Sequence, residues 1–271
     1  MTKNLIKQMM KKAEDTSHIL DSAALIQKIN NGYIAKQEPK YTKKKTFAPS
    51  SLVYGHGECP RYWYLAFEGN IFESNNTPYD IANMTAGTKS HDRIQQAMLD
   101  SGVAKEYLDD DNNPTTEFKV VNDDPPIFGW GDAMIAMNDE DIIGEIKTMK
   151  SEAFENYKIK NEPAEYHVKQ LIIYMKVLKK SKGVLIYENK NNHDLLVFPI
   201  EVTPKYKEWI DNTFDWMRTV HKSWKDQQLP QKNYRVNSKI CKNCPVKAVC
   251  ATSEPGVVKI KSLEGFSETV Q

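Results

Sequence analysis

The chain has 271 residues, 40% of them hydrophobic, and its 37 basic and 36 acidic side chains leave a formal net charge of +1. That length buries one substantial core, or a core with a small appendage; no apolar run approaches the ~20 residues of a membrane span, which excludes a transmembrane helix. Residues 1–12 carry lysines without a long apolar stretch or a small-residue cleavage site. The expected setting is therefore the reducing cytoplasm, a virus-infected host cell included, where thiols bind metals more readily than they pair.

Apolar spacing over 4–29 (Leu5, Ile6, Met9, Met10, then Ile19, Leu20, Ala24, Leu25, Ile29) predicts two short helices. The lysine-rich segment 31–48, with Pro39, reads as a linker, so 1–48 forms an N-terminal extension. An ordered core of 49–252 is expected to open at Pro49, where a serine can cap a helix through Leu52 and Tyr54. A helix over 81–99, starting near Asn83 or Thr85, carries His91, Ile94 and Met98. Alternation predicts strands at 115–121, 127–137 and 141–149, the last two joined as a hairpin through Asp139. A helix at 163–180, strands at 183–188 and 195–202 and a long helix at 204–227 follow, the last with Trp209, Phe214, Trp216, Val220 and Trp224 as packing residues. Residues 253–271 read as a tail. This order indicates an α/β core, helices flanking a central mixed sheet. Lysine gathers at 36–45, 176–182 and 222–247 and acid at 100–124, while only Arg61, Arg93, Arg218 and Arg235 are arginine. Such separated fields can steer a polyanion, or can be ordinary solvated surface.

The four cysteines are split one and three: Cys59, then Cys241, Cys244 and Cys250 as C-x2-C-x5-C. The last three are close enough in sequence to share a metal centre, and Cys59 is the remaining thiol. Zinc sites usually pair two short knuckles within a small module, whereas these ligands would straddle the whole core. Cys244 also precedes proline, as a terminal cluster cysteine often does in ferredoxins. Iron–sulfur is the favoured reading; structural zinc, unligated thiols and disulfides are the alternatives.

Between the cysteines lies Gly129-Trp130-Gly131-Asp132, and thirteen residues after the aspartate comes Glu145-Ile146-Lys147. On a strand Glu145 and Lys147 share a face while Ile146 takes the other. A hairpin would bring Asp132 beside Glu145, and two adjacent carboxylates repel unless a divalent cation stands between them. Magnesium would complete its shell with water and substrate phosphate, and a neighbouring ammonium offsets charge in a phosphodiester transition state. Glu-x-Lys alone also suits an ordinary surface strand. Gln170 and Tyr174, four apart on a helix, share a face that can meet a phosphate or a base edge. His91 is a further candidate, although a lone helical histidine is often structural.

In this order His91, Gly129 to Asp132, Glu145 to Lys147 and Gln170 to Tyr174 resemble the RecB-type branch of the PD-(D/E)XK nucleases. With Cys59 upstream and three cysteines downstream, the chain resembles the iron–sulfur members, among them the AddB nuclease domain and the fourth family of CRISPR-associated exonucleases. The resemblance spans about residues 50–252. It implies a restriction-endonuclease-like core whose N- and C-terminal parts are joined by a [4Fe-4S] cluster on Cys59, Cys241, Cys244 and Cys250. It also implies that His91, Asp132, Glu145 and the Ile146 carbonyl bind Mg²⁺ or Mn²⁺. Lys147 would be the catalytic lysine, with Gln170 and Tyr174 positioning it or the DNA backbone. Gly131 stands where the superfamily name has proline.

The function expected is a metal-dependent DNA exonuclease acting on single strands or duplex ends, in recombination, repair or CRISPR adaptation. The chain has no G-x4-G-K-[ST] motif, so a separate helicase, recombinase or CRISPR integrase could be its partner. The alternatives are an accessory end-binding factor for such a partner and a binding protein with an inactive site; the complete Asp132, Glu145 and Lys147 set speaks against the second.

Overall fold

The structure is a computed structural model, and it describes residues 21–35, 40–53, 55–74, 76–137 and 139–263. The first helix expected, at Leu5 to Met10, lies outside these residues, as do Ile19, Leu20, Tyr54, Asn138 and the last eight positions. The chain divides into two compact units, Met1–Glu38 with Ser74–Ala86, and Pro39–Glu73 with Gly87–Gln271. These boundaries differ from a division at residues 48 and 252.

In the smaller unit, α1 (Ser22–Ile34) is capped by Asp21, whose Oδ1 accepts from the Ala24 N–H at 3.0 Å. None of its residues is buried, Leu25 and Ile29 included, so its apolar spacing is not matched by a core. The same unit contains the start of a long helix with a reciprocal cap: the Thr77 N–H donates to Asp80 at 2.8 Å and the Asp80 N–H to Thr77 Oγ1 at 3.2 Å. With Pro78 in the first turn, that cap moves the helix start upstream of Asn83 and Thr85.

The larger unit begins inside the expected linker. Strand β1 (Lys40–Thr42) pairs antiparallel with β2 (Asn70–Phe72), and Phe47 is fully buried, with its ring 4.7 Å from Trp63. Helix α2 (Pro49–Leu52) starts after Ala48 with no side-chain cap, Pro49 setting the first turn in place of the expected serine. Helix α3 (Pro60–Glu68) follows Cys59 and is buried from Pro60 to Phe67. The long helix is α4 (Pro78–Asp100), and Gly87–Asp100 of it belongs to the larger unit. Two short strands, β3 (Tyr107–Leu108) and β4 (Pro114–Thr115), pair with each other.

The single strand expected at 127–137 is two strands in different sheets. β5 (Phe118–Asn122) pairs with β6 (Ile127–Gly131), the chain bends at Asp132, and β7 (Ala133–Met137) pairs with β8 (Glu140–Met149). Strands β8 and β9 (Lys182–Asn189) are parallel, so they need a crossover. It is made by α5 (Ser151–Lys160) and α6 (Glu165–Val177). Helix α5 was unexpected, because Phe154 is its one buried residue in a highly charged segment. Antiparallel β10 (Leu195–Glu201) completes a mixed sheet in the order β10-β9-β8-β7. Helix α7 (Pro204–Lys225) buries Phe214, Met217 and Val220, with Trp209, Trp216 and Trp224 packed against the same core. Two short helices, α8 (Lys239–Lys242) and α9 (Lys247–Thr252), carry the three C-terminal cysteines or flank them.

The supposed tail is knitted in as far as Leu263. Ile260 and Leu263 are buried, Trp216 donates to the Lys261 carbonyl at 2.8 Å, and the Leu263 N–H donates to the Glu58 carbonyl at 2.9 Å. Each face of the mixed sheet is covered. Ile146 and Ile186 pack with Ile94 of α4 on one side, and Leu171, Ile172 and Tyr174 of α6 belong to the main core on the other. No described helix is long and apolar enough to cross a membrane.

Candidate active site and cysteine cavity

The bend between β6 and β7 puts an aspartate at the junction of two sheets. Ala133 lies opposite Gly144 in the antiparallel register, so the next pair outward is Asp132 and Glu145. Strand alternation sends Ile146 into the α4 side and Glu145 toward α6. Asp132 is locked in place: its Oδ2 accepts from the Ile146 N–H at 2.7 Å, and its carbonyl accepts from Gln95 at 3.0 Å and Thr116 at 2.6 Å. Neither Gln95 nor Thr116 was among the candidates. Gln95 had a signal, standing four residues after His91 on the same helical face; Thr116 had none.

Glu145 is only 2% exposed. Its Oε1 accepts from Lys147 Nζ and from Gln170 Nε2, each at 2.6 Å, while its Oε2 is buried without a partner. Burial and the charge of Asp132 push its carboxyl up to about 7, against the pull of Lys147. Gln170 also donates to the Tyr174 hydroxyl at 3.3 Å, and burial raises that phenol far above its ordinary range. His91 Nδ1 stands 3.7 Å from Asp132 Oδ1, an ion-pair separation longer than a hydrogen bond. Burial works against protonation of His91, but the carboxylate prevails and the imidazole lies above its ordinary value. The structure thus brings all five predicted catalytic side chains and His91 into one cluster.

Both glycines of the Gly129 to Asp132 motif are explained by close packing. A Cβ on Gly129 would lie 3.2 Å from the Tyr174 hydroxyl oxygen, and one on Gly131 would lie 2.3 Å from the Phe118 ring. Any side chain at 131 would meet the same ring.

Cys59, Cys241, Cys244 and Cys250 all line one cavity of about 40 Å³, several times what one water needs. Burial pushes the Cys59 thiol up to about 11, with Cys250 and Cys241 adding to it. Burial raises Cys244 to about 12, with all three other thiols contributing. Arg61, 1% exposed, lines the same cavity. Its guanidinium donates to the Pro230 and Pro255 carbonyls at 2.6 and 3.0 Å, to Ser253 Oγ at 2.8 Å and to the Glu254 carbonyl. No carboxylate is among those acceptors. Among the described residues no three His, Cys, Asp or Glu side chains are grouped tightly enough to hold one metal ion.

No family model matches the chain, and neither does any curated protein. Among solved structures, SSO0001 superposes with a TM-score of 0.41 and 17% identity, over 86% of this chain and 98% of that one. An alkaline exonuclease, LHK-Exo from Laribacter hongkongensis, gives 0.47 and 12% identity, over 73% of this chain and 95% of that one. The same exonuclease in complex with dAMP gives 0.47 and 12%, over 67% and 89%. These are distant likenesses, below the level from which a shared chemistry follows.

Proposed function

We propose that the chain is a metal-dependent deoxyribonuclease of the RecB-type PD-(D/E)XK class, trimming single-stranded DNA or duplex ends. The observation that carries this reading is the buried Glu145 beside Asp132, with Lys147 bonded to one carboxylate oxygen and the other oxygen unpartnered. A buried, orphaned carboxylate oxygen is costly unless something positive completes it. Asp132, Glu145, His91 and the Ile146 carbonyl are the residues that would hold Mg²⁺ or Mn²⁺. Such an ion takes few protein oxygens and fills its shell with water and phosphate, so a tight three-ligand cage is not required. When bound, it would polarise the phosphodiester and supply a nucleophile at neutral pH.

The chain's own groups do the rest. Lys147 places a positive charge where the phosphate accumulates negative charge. Gln170 holds Glu145 and Tyr174 together, fixing the carboxylate's angle. The Ile146 N–H and the Gln95 and Thr116 donors keep Asp132 from turning away.

The four thiols would hold a [4Fe-4S] cluster with a structural role, joining the segment around Cys59 to the C-terminal helices. They share one cavity, and the split of one and three ligands across the core is the feature that favours a cluster over zinc. Arg61 would offset the charge of the thiolates. Exonuclease action within recombination, repair or CRISPR adaptation, and service to a helicase, recombinase or integrase, form the wider expectation.

The test is end-labelled single-stranded DNA with Mg²⁺ or Mn²⁺, for wild type beside Lys147→Ala and Asp132→Ala. Both variants should lose at least a hundredfold in rate while still folding. Equal cleavage by all three proteins, or none under either metal, overturns the assignment. Binding without cleavage by wild type would favour the accessory end-binding reading. A circular substrate separates exonuclease from endonuclease action. Iron and sulfide analysis of anaerobic protein tests the cluster, and stoichiometric zinc in colourless protein would refute it.

A further inference from the structure

A second charged constellation lies one strand away from the catalytic cluster, on the opposite face of the sheet. Glu188 in β9 is fully buried, and one of its carboxylate oxygens has no partner. The other is approached by two groups from different elements. Arg93 of α4 forms an ion pair with it, and His193, in the turn after β9, places Nδ1 at 3.0 Å. Both partners remain open to solvent, with Arg93 51% and His193 63% exposed at the side chain. Arg93 Nη2 also lies 3.4 Å from His193 Nδ1, so the buried carboxylate gathers a guanidinium and an imidazole that both remain largely exposed. Arg93 is one of four arginines in the chain, of which Arg218 and Arg235 are also exposed. Where lysine offers a point charge, a guanidinium offers a planar fork matched to two phosphate oxygens.

The position of this pair indicates its ligand. In the parallel register Lys147 lies beside Tyr187 and Thr148 beside Glu188, and neighbouring strands are about 4.8 Å apart. On α4, Arg93 follows His91 by two residues, about 3 Å along the helix axis but on a different side of the helix. Arg93 and His193 therefore sit at the carboxyl ends of β8 and β9, the same ends that carry Lys147. An anionic group bound there would lie at the same end of the strands as one bound at Glu145 and Asp132, but on the α4 side of the sheet.

We propose that Arg93 and His193, oriented by Glu188, form a phosphodiester-binding subsite that grips the nucleic-acid backbone where it passes the end of the sheet, beyond the scissile bond. The inference deepens the nuclease reading and rests on it. Arg93 supplies the bidentate contact, His193 in its imidazolium form a second donor, and Glu188 is a positioning residue that touches no substrate. The subsite reads phosphate and not bases, so it raises affinity without sequence preference.

Equilibrium binding of a labelled single-stranded oligonucleotide, with chelator present to prevent cleavage, tests this across a range of salt. Arg93→Gln should weaken binding about tenfold, the effect of losing a charge-assisted contact. It should also lower the slope of log affinity against log salt by about 0.7, one single-strand phosphate contact. Arg93→Lys, which keeps the charge but not the fork, should recover the slope and only part of the affinity. Glu188→Gln should weaken binding less than Arg93→Gln does, and His193→Ala should weaken it to a similar, smaller extent. Thermal melting of each variant accompanies the binding data, so that loss of the ion pair is separable from loss of the contact. Arg93→Gln protein that melts lower but binds with wild-type affinity and slope would show a purely structural pair and overturn the subsite. Wild-type protein that neither binds nor cleaves would instead overturn the nuclease reading, so the two failures are distinguishable.

Discussion

At the scale of single residues, the candidate site is held by contacts that leave little room for change. Gly131 is the clearest case. Its missing side chain lets the Phe118 ring pass where a Cβ would stand at 2.3 Å. Gly131→Ala is expected to lower stability by about 2 kcal/mol through overpacking, read as a fall in the urea midpoint at unchanged slope. Cleavage should fall as well, because Asp132 is the next residue. A second residue, not itself a metal-binding candidate, offers a pH signature. His167 Nδ1 lies 2.8 Å from the Tyr187 hydroxyl, and burial, then the charge of Lys147, holds its pKa well below the ordinary value. The unfolded chain therefore binds a proton near pH 6.5 that the folded chain refuses. The stabilisation is complete above that pH and is lost as pH falls toward the folded value, at up to about 1.4 kcal/mol per unit. Other groups titrate in the same range, so the comparison must be with His167→Gln, which keeps a polar partner for Tyr187 and cannot titrate. Wild-type stability should fall more steeply than that of the variant between pH 6.5 and 5 in urea titrations; parallel profiles would contradict the argument.

At the scale of elements, the contact that unites distant parts of the sequence is Arg61. From α3 it reaches the backbone at Pro230, Glu254 and Pro255, joining residues more than 160 positions apart. Arg61→Met should leave three carbonyls short of a donor and cost about 3 kcal/mol. Proteolysis should then begin in 253–263, whereas Arg61→Lys should cut later. This contact was not legible in advance. The sequence shows an arginine after Cys59-Pro60, but nothing in it tells that the acceptors are carbonyls far downstream, and so 253–263 read as a tail. Other misreadings have the same origin. The bend at Asp132 was missed because Ile127, Phe128, Trp130 and Ile135 read as one strand, although Gly129, Gly131 and Asp132 are poor strand formers; the break comes from β6 and β7 pairing with different strands. Helix α5 was missed because its role is to bridge two parallel strands, which leaves it one buried residue. By contrast, strands β8, β9 and β10 and helices α6 and α7 were readable, since each has one face in the core and the corresponding period in its sequence. The site was readable for a related reason. Glu145 and Lys147, and Gln170 and Tyr174, are pairs fixed by local periodicity, whereas the Thr116 contact depends on tertiary folding alone.

At the scale of the whole molecule, the near-neutral net charge of +1 conceals an arrangement in which the functional candidates are confined to one unit. His91, Asp132, Glu145, Lys147, Gln170, Tyr174 and the four cysteines all fall within Pro39–Glu73 and Gly87–Gln271. The other unit contributes a helix, α1, without a buried residue. Burial of apolar surface is the main source of folding free energy, so a described helix that buries nothing adds little to global stability. A protein starting at Pro39 should therefore melt within a few degrees of the full chain and keep its cleavage rate on a short oligonucleotide. Residues 74–86 must be retained in that truncation, because they include the Thr77 and Asp80 cap that starts α4. Loss of such a cap costs about 1 kcal/mol, and α4 carries both His91 and Arg93. Thr77→Ala in the truncated protein is thus the sharper measurement. If the helix start matters for the site, cleavage and metal-free binding should fall together with stability; if α4 is held from Gly87 onward by the sheet alone, only the melting temperature will move.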